Sequence, residues 1–181
     1  MAECPLVVRR RRPDDVPVVG ELIMRQQPLT RYPFRNPLPF PVERFVARPG
    51  ELAAWVAVVG PGRRIAGHVS VLDVTDQEIG ALWAAAVGRP VAELAAVSVL
   101  VVDHELTGRG IGRALMDACE SHLAARGRVP VLEVVGAHSR AAALYRARGW
   151  EVVGTAHPHW LPAGEDPVEL MVLLDREVND R

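Results

Sequence analysis

Residues 99–126 restrict the fold of this chain more than any other part of the sequence. An apolar run ends at Val102, and a short polar loop then leads into Gly108-Arg109-Gly110-Ile111-Gly112. After the glycines, apolar side chains recur at the spacing of one helix face, at Ile111, Leu115, Ala118 and Cys119. The segment therefore predicts a buried strand, a glycine loop and a helix in direct succession.

Glycines at this junction are typical of a phosphate site. They remove the Cβ atoms that would keep a ligand away from the backbone. The first turn of a helix also offers unpaired N–H groups and the positive end of the helix dipole. We therefore expect this loop to bind a phosphate or diphosphate.

Two familiar phosphate-binding motifs do not fit. A P-loop requires GxxxxGK[ST], and the chain contains no lysine. The dinucleotide fingerprint GxGxxG would place its third glycine at Arg113 or at Leu115, depending on which glycine comes first. Both registers fail.

The acyl-CoA pattern (Q/R)xxGx(G/A) does fit. Residues 100–115 read LVVDHELTGRGIGRAL, and residues 138–150 read HSRAAALYRARGW. These two blocks resemble the motifs LxVxPxxRGxGxGxxL and NxRAxxLYxxxGF of the GNAT superfamily of N-acyltransferases. Four positions depart from the family pattern, namely His104, Thr107, His138 and Trp150. The resemblance covers about residues 91–157.

The resemblance implies an α/β (α+β) fold of one GNAT-like domain, residues 1–181, with a central mixed sheet of about seven strands flanked by helices. Its fourth and fifth strands are expected to splay apart. Length agrees, since 181 residues suit one domain. A proline-rich loop over 26–48 would lie on the acceptor side, and its Tyr32, Phe34 and Phe40 either contact the acceptor or pack on the core. A helix over 76–88 is extra to the minimal pattern.

The resemblance also implies acetyl-CoA as the acyl donor. No metal is expected, because no second histidine or cysteine lies at ligand spacing from His138. The implied binding residues lie at the end of the fourth strand, in the glycine loop and in the second motif. They are Leu100, Val101, Val102, Thr107, Gly108, Arg109, Gly110, Ile111, Gly112, Arg113, His138 and Arg140.

Two residues are catalytic candidates. By resemblance, Tyr145 would act on the leaving thiolate as a general acid or hydrogen-bond donor. In many family members a glutamate fourteen residues before the position of Gly110 acts as the general base. In this chain Ala96 stands there, and the nearest carboxylate is that of Glu93. Asp73, His68, His159 and a water relay are further candidates for the base.

Composition bounds the partners and the compartment. A net charge of −1 gives no electrostatic case for nucleic acid or an anionic membrane. The N-terminal segment does not resemble a secretory signal, and no apolar run approaches a membrane span, so we expect a cytoplasmic protein. Cys4 and Cys119 are too few for a metal cluster, and Cys119 is expected to be a buried thiol.

Two functions stay open at this point. One is acetyl transfer to a primary amine of a small molecule or peptide, in a protein for which the resemblance is compatible with a homodimer. The other is a non-catalytic acyl-CoA sensor of the same fold, which Ala96 and Thr107 favour and Tyr145 opposes.

Overall fold

The computed structural model describes residues 5–136 and 138–174. The helices are α1 (Asp15–Thr30), α2 (Val42–Val46), α3 (Gly80–Val87), α4 (Ile111–Ala124) and α5 (Ser139–Ala147). The strands are β1 (Val7–Arg10), β2 (Glu51–Val59), β3 (Arg64–Asp73), β4 (Leu94–Val102), β5 (Val129–Val134), β6 (Glu151–Ala156) and β7 (Val168–Val172). Short 3-10 helices occupy Val91–Glu93 and His104–Leu106.

All seven strands belong to one mixed sheet in the order β1-β2-β3-β4-β5-β7-β6. The pairs β1–β2, β2–β3, β5–β7 and β6–β7 are antiparallel, whereas β4 and β5 are parallel. The parallel register joins three residue pairs, from Leu94↔Val129 to Ala96↔Val131. The predicted α/β class with a mixed seven-stranded sheet is confirmed.

The chain forms two compact units, of which the first comprises residues up to 72 together with 97–122. Its core is built from valines of the strands and apolar residues of α1 and α2, and Val19, Ile23, Val46 and Val56 are fully buried. α4 turns one face inward as its spacing predicts, since Ile111, Leu115 and Cys119 are at most 2% exposed. Cys119 is the buried thiol that we expected.

The second unit comprises residues 73–96 and those from 123 onward. Here α3 packs against β6 and β7. Large apolar side chains supply its core, and Trp83, Leu94, Leu132 and Met171 are at most 1% exposed. α3 ends at Val87 and is followed by Gly88, whose φ of 69° is the left-handed conformation that glycine adopts without strain.

The structure shows where α1 begins and ends and where β4 begins. α1 continues through Pro28 to Thr30, so the acceptor-side loop begins after Thr30 and not at residue 26. Asp14 makes no side-chain capping bond, and the Asp15 carboxylate instead accepts from the backbone N–H of Arg12 at 2.6 Å. β4 begins at Leu94, so Glu93 precedes the strand.

Candidate active site

The glycine loop joins β4 to α4 and is exposed. Gly108 and Gly110 have φ values of 80° and 78°, a conformation that other residues rarely adopt. A Cβ atom at either position would meet nothing within 4 Å, so the space over this backbone is open. The carbonyl of Gly110 accepts the first helical hydrogen bond, from the N–H of Ala114 at 3.0 Å. The loop thus presents bare backbone beside a helix N-terminus, which suits a diphosphate.

A buried carboxylate holds the start of this loop. Asp103 is fully buried and accepts from Arg25 Nη2 at 3.1 Å and from Arg64 Nη2. Its other oxygen accepts the backbone N–H of Glu105 at 3.2 Å, which fixes the 3-10 turn that leads to the glycines. A buried carboxylate is tolerated only when it is paired in this way. Sequence reasoning assigned Asp103 no role.

Gln26 of α1 holds the same segment from the other side. Its side chain is 2% exposed, donates to the carbonyl of Val102 at 3.1 Å and accepts the N–H of His104 at 3.1 Å. Both bonds go to backbone groups, so the Gln26 side chain pairs with the end of β4 as the backbone of a neighbouring strand would. Val102 and His104 lie 76 and 78 residues after Gln26, so no local sequence pattern predicts these contacts.

The other loop residues divide by exposure. Ile111 is 2% exposed and anchors α4 in the core. Thr107, Arg109 and Arg113 are exposed, and both arginines adjoin glycines of the loop in the sequence. The hydroxyl of Thr107 donates to the carbonyl of His104 at 3.0 Å, so it serves the loop itself.

By the family resemblance, a backbone N–H near Leu100 to Val102, at the end of β4, is expected to donate to the oxyanion of the reaction. Val99 has a φ of 49°, a genuine outlier for a β-branched residue that costs about 1–3 kcal/mol. The amide that follows this residue is that of Leu100. Val101 is buried, and Leu100 and Val102 are partly exposed. The strand geometry is therefore irregular at the point where the resemblance placed the donor.

The second unit carries the second motif. Tyr145 lies on α5, is 7% exposed, and packs its ring at 5.9 Å from that of Trp150. His138 precedes α5 and accepts the N–H of Ala142 through its carbonyl at 3.1 Å. Arg140 is exposed in the first turn of the same helix.

The candidate bases have different surroundings. Glu93 lies in the 3-10 helix before β4, and its Oε2 accepts from Arg89 Nε at 2.6 Å. His159 is exposed, and its Nδ1 lies 2.6 Å from Oε2 of Glu78, whose pKa is lowered by this hydrogen bond. Asp73 accepts the N–H of Thr75 at 2.8 Å.

His68 is unsuited to be the base. It is fully buried on β3, and both ring nitrogens have partners, the carbonyl of Val99 and the guanidinium of Arg11. Burial lowers the pKa of His68 to about 4. A base must reach the proton that it removes, and this ring does not reach solvent.

The aromatic residues of the acceptor-side loop differ in packing. Tyr32 packs edge-on against Phe45, with ring centroids 5.7 Å apart. Phe34 lies 5.3 Å from the guanidinium of Arg31, and Phe40 is 38% exposed. Phe40 is the most available of the three for contact with a ligand.

Neither a metal site nor a membrane-spanning helix is found among the described residues. Within 5–136 and 138–174, no group of three or more His, Cys, Asp or Glu side chains is placed to hold a metal ion. In the same ranges, no helix combines the length and the apolar character that crossing a membrane requires.

Similar structures agree on the fold. They include a GCN5-related N-acetyltransferase from Kribbella flavida (21% identity, 93% of this chain, 96% of that chain, TM-score 0.68). They also include NAA60 from Arabidopsis thaliana in complex with acetyl-CoA (20% identity, 93% of this chain, 97% of that chain, TM-score 0.66). A third is the ribosomal-protein-S18-alanine N-acetyltransferase from Escherichia coli (17% identity, 93% of this chain, 93% of that chain, TM-score 0.65).

Sequence comparison assigns the family. A search of curated protein sequences finds no match. The sequence profile described as an acetyltransferase (GNAT) domain matches residues 53–152, more than half of the chain. The chain therefore belongs to the GNAT acetyltransferase family and is an acyltransferase of that type.

Proposed function

We propose that this chain transfers the acetyl group of acetyl-CoA to a primary amine and binds the donor's diphosphate at the glycine loop. The observation that carries the proposal is the pair Gly108 and Gly110, both at φ near 80° with open space above the backbone. The similar Arabidopsis NAA60 was solved with acetyl-CoA. The glycine loop of this chain suits the diphosphate of acetyl-CoA by its geometry and by the helix dipole.

The residues around the loop receive supporting roles in this proposal. The N–H groups of Ile111, Gly112 and Arg113 belong to the first turn of α4, where amides have no intrahelical acceptor. Arg109 and Arg113 add exposed positive charge. These amides replace the side-chain contact that arginine or glutamine at the position of Thr107 would provide.

The reaction itself is simple in its bonds. The amine nitrogen forms a bond to the thioester carbonyl carbon, the carbon–sulfur bond breaks, and one proton leaves the nitrogen while the thiolate is stabilised or protonated. An amide donor aimed at the carbonyl oxygen is the most effective aid to such a step. We assign that donor to the N–H of Leu100, with Val101 and Val102 completing the strand end. His138 and Arg140 are assigned to the pantetheine arm and its surroundings.

Tyr145 is assigned to the leaving thiolate. Phenols have a pKa of about 10 and thiols of about 8.5, so full proton transfer from a phenol costs roughly 2 kcal/mol. Stabilisation by a hydrogen bond is the easier role. Tyr145→Phe keeps the ring that packs on Trp150 and removes only the hydroxyl. We expect kcat to fall about tenfold, the worth of one hydrogen bond, with CoA affinity unchanged.

Steady-state assays of acetyl transfer measure kcat, and calorimetry measures the affinity for CoA. An unchanged kcat in Tyr145→Phe would remove the hydroxyl from the mechanism. A parallel loss of CoA affinity would instead make Tyr145 a binding residue.

The base remains assigned to Glu93, with the His159–Glu78 pair as the competing assignment. An alkylamine of pKa about 10.4 costs roughly 4–5 kcal/mol to deprotonate at neutral pH, so a base or a water relay is required. One oxygen of Glu93 is bonded to Arg89, which leaves the other to accept a proton. His159 is held by Glu78 in the manner of an oriented imidazole. Turnover is measured for Glu93→Gln and for His159→Asn. The substitution that lowers turnover more identifies the base.

The deciding experiment for the function is turnover with a panel of amines, both small molecules and peptides, with free CoA thiol as the readout. We expect thiol release that depends on the amine. The second candidate, a non-catalytic sensor, is favoured by the Arg89 contact of Glu93 and the internal contact of Thr107. A sensor would bind CoA by calorimetry and release no thiol with any amine.

A further inference from the structure

The backbone at Val99 has to be held in place by its surroundings. Its φ of 49° lies in the left-handed region, and its side chain is 2% exposed within the core of the first unit. Packing fixes the side chain, but the orientation of the following peptide group needs a polar contact. That contact comes from His68, whose Nδ1 lies 2.9 Å from the carbonyl oxygen of Val99.

The carbonyl of Val99 and the N–H of Leu100 belong to the same peptide group. A peptide group is planar, and in its trans form the oxygen and the hydrogen point in opposite directions. Any contact that fixes the Val99 oxygen therefore also fixes the direction of the Leu100 N–H. Leu100 is the residue to which the proposed function assigns the oxyanion donor.

The tautomer of His68 follows from its second contact. Nε2 lies 3.1 Å from Nη1 of Arg11. A guanidinium has donors and no acceptor, so Nε2 must be the unprotonated nitrogen that accepts. The hydrogen of the neutral ring therefore sits on Nδ1, from which it is donated to Val99.

Arg11 is itself held firmly. Both of its terminal nitrogens bond the Glu51 carboxylate, at 2.6 and 2.9 Å, and Nη1 also donates to the carbonyl of Val46 at 3.0 Å. Nη1 thus shares its two hydrogens among three acceptors. A paired guanidinium cannot turn away without breaking the pair, so it keeps His68 in one tautomer and one orientation.

We infer that His68 is a positioning residue for acyl transfer, which donates from Nδ1 to the Val99 carbonyl and so aims the Leu100 N–H at the thioester oxygen. The inference rests on the proposed function. His68 touches neither the acyl group nor the amine in this role, and its effect passes through the Val99–Leu100 peptide.

Two substitutions separate the contacts of the ring. His68→Asn places an amide N–H near the position of Nδ1 and keeps a donor for Val99. His68→Gln reaches further, keeps an acceptor for Arg11 and removes the donor to Val99. We expect kcat of His68→Gln to fall about tenfold or more, since misdirecting an oxyanion donor costs less than deleting one. His68→Asn should recover most of that loss, and both variants should bind CoA as the wild type does.

The amide spectrum supplies a readout besides activity. In the wild type, the Leu100 amide should shift differently with acetyl-CoA than with CoA, because only acetyl-CoA has the carbonyl. The Gly110 and Gly112 amides should shift with both. His68→Gln should lose the acetyl-dependent shift of Leu100 and keep the glycine shifts. If the acetyl-dependent shift of Leu100 persists in His68→Gln, the positioning role is wrong. If the amide signals of Gly110 and Gly112 do not shift with CoA in the wild type, the proposed function is wrong.

The wild-type protein alone provides a further test that does not depend on how the variants fold. Nitrogen-15 spectra of the His68 ring identify which nitrogen carries the hydrogen. Hydrogen on Nδ1, coupled across the bond to Val99, is the expected result. Hydrogen on Nε2 at neutral pH would overturn the inference, because Nδ1 would then have nothing to donate.

Discussion

Replacing Gly110 by glutamate is expected to weaken CoA binding by about a hundredfold or more. The new carboxylate would stand where the diphosphate is proposed to bind, and two like charges about 4 Å apart near a protein surface repel by about 4 kcal/mol. About 1.4 kcal/mol corresponds to each factor of ten in affinity. Because a Cβ at Gly110 meets nothing within 4 Å, the fold should survive. Calorimetric titration with CoA measures the loss.

Two matched variants separate charge from backbone strain. Gly110→Ala carries the same strain at φ 78° without the charge, and it should lose far less affinity. Gly127→Glu carries both the charge and a comparable φ of 62°, also with open space around the Cβ, but lies outside the loop. It should bind CoA as the wild type does. Normal affinity in Gly110→Glu would show that the diphosphate binds elsewhere.

The glycine loop could be predicted because its signals are local. A strand, a turn that needs positive φ and a helix face each leave their mark within a few residues. Gly108 and Gly110 have the left-handed φ that only glycine adopts readily, and Ile111, Leu115 and Cys119 point inward as their spacing requires. The order of these elements and the family motif then suffice to predict the sheet.

The contacts that hold the loop in place could not be predicted. Gln26 looked like the start of a proline-rich loop, because Pro28 removes a backbone donor and usually ends a helix. The structure continues α1 to Thr30 and buries Gln26 against the end of β4. The Gln26 amide bonds to backbone groups 76 and 78 residues away along the chain, so local sequence spacing does not predict that contact.

Val99 shows the same limit at the level of one residue. Valine favours the extended conformation, so the run that ends β4 predicts a regular strand. Its φ is positive, and its carbonyl contacts His68, which lies 31 residues earlier and which sequence analysis considered only as a possible base. A sequence reveals that a histidine is present, but only the packing around it decides whether the ring is exposed to a substrate or enclosed.

Burial of His68 makes the stability of the fold depend on pH below neutrality. The folded state lowers the pKa of His68 from 6.5 to about 4, chiefly through desolvation, with the charge of Arg11 acting in the same direction. The bond to Val99 and the charge of Asp15 act in the opposite direction, and Glu51 lies behind Arg11. Between the two pKa values the unfolded chain therefore binds one proton more than the folded chain.

The sign of the effect follows directly. The contribution of His68 to stability is complete above pH 6.5 and is lost as the pH falls toward 4. The difference between 6.5 and 4 is 2.5 units, which at 1.36 kcal/mol each gives a limit of about 3 kcal/mol. Asp15 and Asp73, whose pKa values lie below 3.8, lose their contributions only at lower pH.

Denaturant unfolding of the wild type and of His68→Asn, at pH values from 7 to 4, measures this contribution. The difference between the two free energies of unfolding cancels every group that the variants share, so it isolates the histidine. We expect that difference to change by about 3 kcal/mol over this range, in the direction of a less stable wild type at acid pH. Curves that stay parallel would mean that the His68 ring takes up its proton as readily in the folded protein as in the unfolded chain. That result would contradict the enclosed, neutral ring on which the Val99 contact depends.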